Sequence, residues 1–124
     1  MSQVNVRYIV LDVGAAITFY TETLGFQLNV HPAPGFARLS KGNLSLLINQ
    51  PGAGGAGQTL PNEQVPHPGG WNRIQIEVDD LKETVEMLSS RGCTFRSEIV
   101  IGNGGKQIIL EDPSGNPIEL FEPA

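Results

Sequence analysis

One pattern occurs twice in this chain, and the repetition limits the fold more than any other feature. Val4 to Val10 alternates, with Val6, Tyr8 and Val10 on one face and Asn5, Arg7 and Ile9 on the other, which predicts a half-buried strand. Asp12 then caps a helix running to about Leu24, with Ala16, Ile17, Tyr20 and Leu24 at helical spacing and Gly25 as its stop. Phe26 to His31 is a strand candidate, and Pro32, Pro34 and Gly35 make a turn. Phe36–Ser40 and Leu44–Asn49 read as a hairpin about Lys41-Gly42-Asn43. From Trp71 the order returns. Ile74, Ile76 and Val78 alternate with Arg73, Gln75 and Glu77. Asp79 or Asp80 caps a helix with Leu81, Val85 and Leu88 on its apolar side, and Gly92 stops it. Strands are expected over Thr94–Ile101 and Lys106–Leu110, with a Gly102–Gly105 turn between them. Asp12 to Gly25 and Asp79 to Gly92 have the same spacing, so the halves are a divergent repeat of strand, helix and three strands.

The last strand is fed by Asp112-Pro-Ser-Gly-Asn116. Pro113 pre-sets its φ, Gly115 supplies a positive φ, and Asp112 and Asn116 can bond their own backbone. Beyond the turn, Ile118 and Leu120 share one face, Glu119 and Phe121 the other. Glu119 stands out as a carboxylate inside an apolar strand, a place where charge is paired or used. Between the halves, Gln50 to Gly70 is rich in Gly, Pro and Ala and has no period. It is either a linker or a functional lid.

If each helix covers one face of its sheet, the apolar row of Val6, Tyr8, Val10, Ile74, Ile76 and Val78 is the helix side. The other face then carries Asn5, Arg7, Arg73, Gln75, Glu77 and Glu119, a polar concavity or an exposed sheet face. A net charge of −5 gives no basic stripe for phosphates, so no nucleic-acid partner is expected. No apolar run reaches membrane-spanning length. Met-Ser-Gln-Val-Asn is not a basic region followed by an apolar core, so no secretory leader is expected and the cytoplasm is the expected compartment. The one cysteine, Cys93, excludes an internal disulfide and a cysteine-based zinc site; a small buried apolar role is expected for it. His31 and His67 lie among prolines without partners at metal-ligand spacing and read as exposed loop residues.

Three stretches carry a family resemblance: Phe19-Tyr-Thr-Glu-Thr-Leu-Gly-Phe26, Glu77-Val-Asp-Asp80 and Asp112-Pro-Ser-Gly-Asn-Pro-Ile-Glu-Leu120. In this order they resemble the vicinal oxygen chelate superfamily of glyoxalase I, bleomycin resistance proteins and extradiol dioxygenases. The resemblance covers nearly the whole chain. It implies an α+β fold of two βαβββ modules, here residues 1–50 and 71–124 of one domain, whose curved mixed sheets surround a cleft. It implies modules that pair within or between chains, and a homodimer is expected. In the family's metalloenzymes a divalent ion sits at the cleft floor, held by His, Glu or Gln from the first and last strands of each module. Those positions fall on Asn5, Ser45, Arg73 and Glu119. Only Glu119 is of ligand type, and Arg73 is a permanent cation. A charge pair of Arg73 facing Glu119 across the cavity floor is expected where the family holds its metal.

The expected function is therefore metal-independent binding of a small aromatic, carbonyl-bearing or anionic molecule by Asn5, Arg7, Ser45, Trp71, Arg73, Gln75, Glu77 and Glu119. Arg73 would anchor the ligand and Trp71 would stack on it or pack a junction. The Arg–Glu pair could also be purely structural. The alternatives are an enzyme of the same superfamily, with Glu119 or Glu77 as general base or with a divalent metal, and an interaction protein whose polar face is only surface.

Overall fold

The computed structural model describes residues 2–124. The chain divides into two compact units, the first ending at Pro68 and the second running Gly69–Ala124. The boundary thus falls inside the expected loop, most of which belongs to the first unit.

In the first unit β1 (Val6–Ile9), β2 (Gln27–Ala33), β3 (Phe36–Lys41) and β4 (Leu44–Asn49) form a sheet in the order β1-β4-β3-β2. β1 lies parallel to β4, while β3 is antiparallel to both its neighbours. The helical segment packs on β3 and β4 through Val13, Ala16 and Tyr20. Tyr8, Ala37, Leu39, Leu46 and Ile48 complete that core. Arg7, Leu47 and Arg38 share one register row on the opposite face, as do Ser40 with Ser45 and Phe36 with Asn49.

Asp12 caps the helix as expected, its Oδ1 accepting from the Ala15 N–H at 3.0 Å. The helix to Leu24 is not uniform, however. α1 (Val13–Thr18) is α-helical, and Phe19–Thr23 widens into a π turn. The Thr21 hydroxyl donates to the Ile17 carbonyl at 2.7 Å, taking an acceptor the helix backbone would otherwise use. The widened turn seats Tyr20 edge-on between Phe19 and Phe26, with centroids 5.2 and 5.4 Å away. β2 continues past His31 through Pro32, which an edge strand tolerates because the missing N–H faces outward. The loop after β4 is not structureless. It contains a single helical turn, α2 (Gly54–Gly57), and Gln50 Oε1 accepts from the Val13 N–H at 3.0 Å.

In the second unit β5 (Ile74–Glu77), α3 (Leu81–Ser90), β6 (Thr94–Phe95), β7 (Val100–Ile101), β8 (Gly105–Glu111) and β9 (Pro117–Pro123) repeat the plan. The sheet order is β5-β9-β8-β6, with β7 also on β8 and β5 parallel to β9. The expected Thr94–Ile101 strand is interrupted between β6 and β7, where the Ser97 hydroxyl bonds the Glu98 carbonyl. Asp80, not Asp79, caps α3, and Glu122 Oε1 accepts from the Leu81 N–H at 2.8 Å. α3 packs on β9, burying Leu81 and Leu88 against Ile118 and Leu120. Gln75 pairs with Glu119 and Glu77 with Phe121 on the far face.

The turn into β9 is held by Asp112. One carboxylate oxygen accepts the Ser114 and Asn116 N–H groups at 2.8 and 2.9 Å, and the other takes the Asn116 amide at 2.9 Å. Gly115 sits at φ 86°, a region that costs any other side chain strain. No helix among the described residues is long and apolar enough to cross a membrane.

Candidate functional site

In the second unit the residues expected at the site converge on Glu119. Gln75 reaches it because β5 and β9 are parallel and in register, so both side chains leave the same side of the sheet. Arg73 approaches from just before β5. Its Nε and one terminal nitrogen meet Glu119 Oε1 at 3.0 and 2.8 Å, and Gln75 Nε2 donates to Oε2 at 2.6 Å. Both carboxylate oxygens are therefore engaged. Side-chain exposure is 24% for Arg73 and 10% for Glu119, so the pair is largely withdrawn from water. Arg73, one residue before β5, reaches Glu119 on the neighbouring strand β9 rather than facing it across a cavity floor, which corrects the expected geometry. The cause is the parallel β5–β9 register, which sets Gln75 opposite Glu119 and leaves Arg73 two residues before Gln75 on the same face, within diagonal reach of the carboxylate.

The other terminal nitrogen of Arg73 donates to the Trp71 carbonyl at 3.1 Å. The Trp71 ring lies over the guanidinium of Arg96, 5.0 Å from its carbon to the ring centroid. Arg96 is fixed in three directions, by Glu111 Oε2 at 2.9 Å, the Gly70 carbonyl at 2.7 Å and the Gly115 carbonyl at 3.1 Å. Trp71 itself remains 70% exposed. Pairing β6 with β8 sets Thr94 opposite Glu111 and Arg96 two residues further on the same face, but the short β6 gives little alternation to read. Glu77 lies two residues beyond Gln75 and outside the Glu119 hydrogen bonds. It borders a hollow of about 540 Å³ with Asp79, Asp80, Glu83 and Met87.

In the first unit Arg7 donates to Asn49 Oδ1, and Asn49 Nδ2 reaches the Ala53 carbonyl at 3.4 Å. Asn49 is buried, and with Arg7, Phe36 and the Gly54–Ala56 stretch it borders a cavity of about 500 Å³. Ser45 borders a smaller polar hollow of about 290 Å³ with Arg38, Ser40 and Asn29. Asn5 is exposed and accepts from Gln3 at 3.4 Å. His31 and His67 are exposed, as expected. Cys93 is half-buried rather than fully buried. Burial pushes its thiol above the ordinary value, and the neighbouring Arg91 opposes that shift. The sequence reading missed Arg38, Asn49 and Arg96. The first two could have been found by writing the β3–β4 hairpin out in register.

The residues at the four implied metal positions make a poor donor set. Arg73 repels a cation, Glu119 is already bonded at both oxygens, and Ser45 offers only a hydroxyl. Among the described residues no three His, Cys, Asp or Glu side chains gather where they could hold a metal ion.

Comparison with solved structures gives the same fold over the whole chain. A glyoxalase/bleomycin resistance protein/dioxygenase from Nocardioides is 23% identical, with a TM-score of 0.74 over 99% of this chain and 83% of its own. A lactoylglutathione lyase from Agrobacterium tumefaciens is 18% identical, with a TM-score of 0.72 over 98% of this chain and 92% of its own. TnmS3, an antibiotic-binding protein from Streptomyces sp. CB03234, is 25% identical, with a TM-score of 0.72 over 100% of this chain and 98% of its own. No curated protein matches the chain. The profile of the Glyoxalase/Bleomycin resistance protein/Dioxygenase superfamily matches residues 2–120, and the protein belongs to that superfamily.

Proposed function

We propose that this protein binds a small, planar, carbonyl-bearing or anionic molecule without the help of a metal. The observation that carries the reading is the state of Glu119. Arg73 takes two acceptor sites on Oε1 and Gln75 one on Oε2, three of the carboxylate's roughly four, and the permanent Arg73 cation beside it opposes a metal ion. In this reading Glu119 is an anchor that holds the Arg73 guanidinium in place. Both terminal nitrogens of Arg73 keep a further N–H for a ligand oxygen. Beside it, Trp71 offers a ring face already oriented by Arg96, so stacking costs little ordering entropy. The likeness to TnmS3, an antibiotic-binding protein, supports a binding role over a catalytic one.

Trp71 is the single tryptophan, so intrinsic fluorescence reports on this surface directly. Aromatic acids and ketones should shift or quench its emission saturably, and Arg73→Ala should weaken that response. Metal content of the purified protein and thermal titrations with Ni²⁺, Zn²⁺, Mn²⁺ and Fe²⁺ test the other half. Stoichiometric metal or a saturable rise in melting temperature would return the protein to the metal-dependent members. The family's pairing of modules supports a homodimer as the binding unit, which light scattering on the eluting protein will decide.

A further inference from the structure

The arginines of the two units are treated differently. In the second unit Arg73 is neutralised by Glu119 and Arg96 by Glu111. In the first unit Arg7 and Arg38 have no carboxylate partner among the described residues. The acids up to Pro68 are Asp12, Glu22 and Glu63, found at a helix cap, in the π turn and in the loop, and none lies on the sheet. Arg7 uses one N–H on the neutral Asn49, and the Arg38 side chain makes no hydrogen bond or ion pair among the described residues.

Their spacing is set by the sheet. Arg7 pairs with Leu47, and Leu47 pairs with Arg38, so the two arginines flank Leu47 in one row on the face away from α1. Two strand spacings put their Cα atoms about 10 Å apart. Between and beside them the surface is apolar, with Leu47, Ile9 and Phe36 half-buried. Each arginine also borders its own cavity, Arg7 that of Asn49 and Arg38 that of Ser40 and Ser45.

We propose that this face of the first unit recognises an organic dianion: a flat apolar body on Leu47 with an acidic group at each end, one taken by Arg7 and one by Arg38. The proposal rests on the reading of the protein as a small-molecule binder and adds the ligand's charge and the spacing of its charges. Two uncompensated cations on a semi-apolar face, in a chain of net charge −5, are what such a ligand completes.

The test is calorimetric titration at low salt with naphthalene-2,6-dicarboxylate, 2-naphthoate and 2-naphthamide. The dicarboxylate should bind about tenfold or more tighter than naphthoate, and naphthoate tighter than the amide. Arg38→Gln should reduce the dicarboxylate to the level of naphthoate, and added salt should weaken it most. Arg38 is exposed, so that variant should melt with the wild type, which checks folding. Equal affinity for the three probes, or an Arg38→Gln protein that binds the dicarboxylate unchanged, overturns the proposal but leaves the small-molecule reading intact. No binding of any probe also overturns it. The small-molecule reading falls separately, if Trp71 emission answers to no aromatic acid or ketone.

Discussion

Arg73→Ala tests the central arrangement most directly. The substitution removes both donors on Glu119 Oε1 and leaves Gln75 on Oε2. Three magnitudes bracket the outcome. A solvent-exposed ion pair is worth about 0–1 kcal/mol. Breaking a fully buried pair costs about 3–5 kcal/mol, because the surviving charge stays desolvated. A lost hydrogen bond to a charged group costs about 1.5–3 kcal/mol. With Arg73 24% and Glu119 10% exposed, water can reach the abandoned oxygen only in part. The expected loss is about 2–3 kcal/mol, and a domain of this size should melt about 6–15 °C lower. Glu119→Gln in the same background removes the stranded charge, so the double variant should be more stable than additivity predicts, by about 1–2 kcal/mol. Urea unfolding followed by circular dichroism measures all four proteins. A loss below about 1 kcal/mol in Arg73→Ala, or additive singles, would mean the pair is held too loosely to anchor a ligand.

Asp112→Ala should be costlier, about 3–4 kcal/mol in the same urea assay, since the Ser114 and Asn116 N–H groups and the Asn116 amide lose one shared acceptor; Asp112→Asn, which keeps an oxygen, should fall between. Arg96→Met should cost about 1–2 kcal/mol and free the Trp71 ring, which acrylamide quenching will register as a rise in the quenching constant; unchanged quenching would mean Arg96 does not orient the ring. Cys93 should alkylate slowly with iodoacetamide near neutral pH and reach full rate only above the ordinary thiol range, because desolvation favours the neutral form. Its folded pKa is raised, so its contribution to stability is complete at neutral pH and is lost as the pH rises through the folded value. A rate at pH 8 equal to that of the urea-unfolded protein would refute the burial argument.

What could be read from the chain, and what could not, follows from the range of the forces involved. The repeat, both helix stops and the Asp112–Asn116 turn are written in local chemistry, and the structure has them where the residues say. The superfamily fold follows from their order. The π turn was not legible, because a competing hydroxyl such as Thr21 is common in helices that stay regular. The interruption after β6 was hidden too, since apolar Phe95 and Ile99 continue a pattern that the backbone leaves. The convergence on Glu119 was half legible. Alternation puts Gln75 and Glu119 on one face, but only the parallel register makes them partners and brings Arg73 onto the same carboxylate. Arg38 escaped notice for the opposite reason. Its side chain has no hydrogen-bond or ion-pair partner among the described residues, so no such bond within the fold calls for it. A residue that folding does not explain, in a row with Arg7 and Leu47, points to something outside the chain.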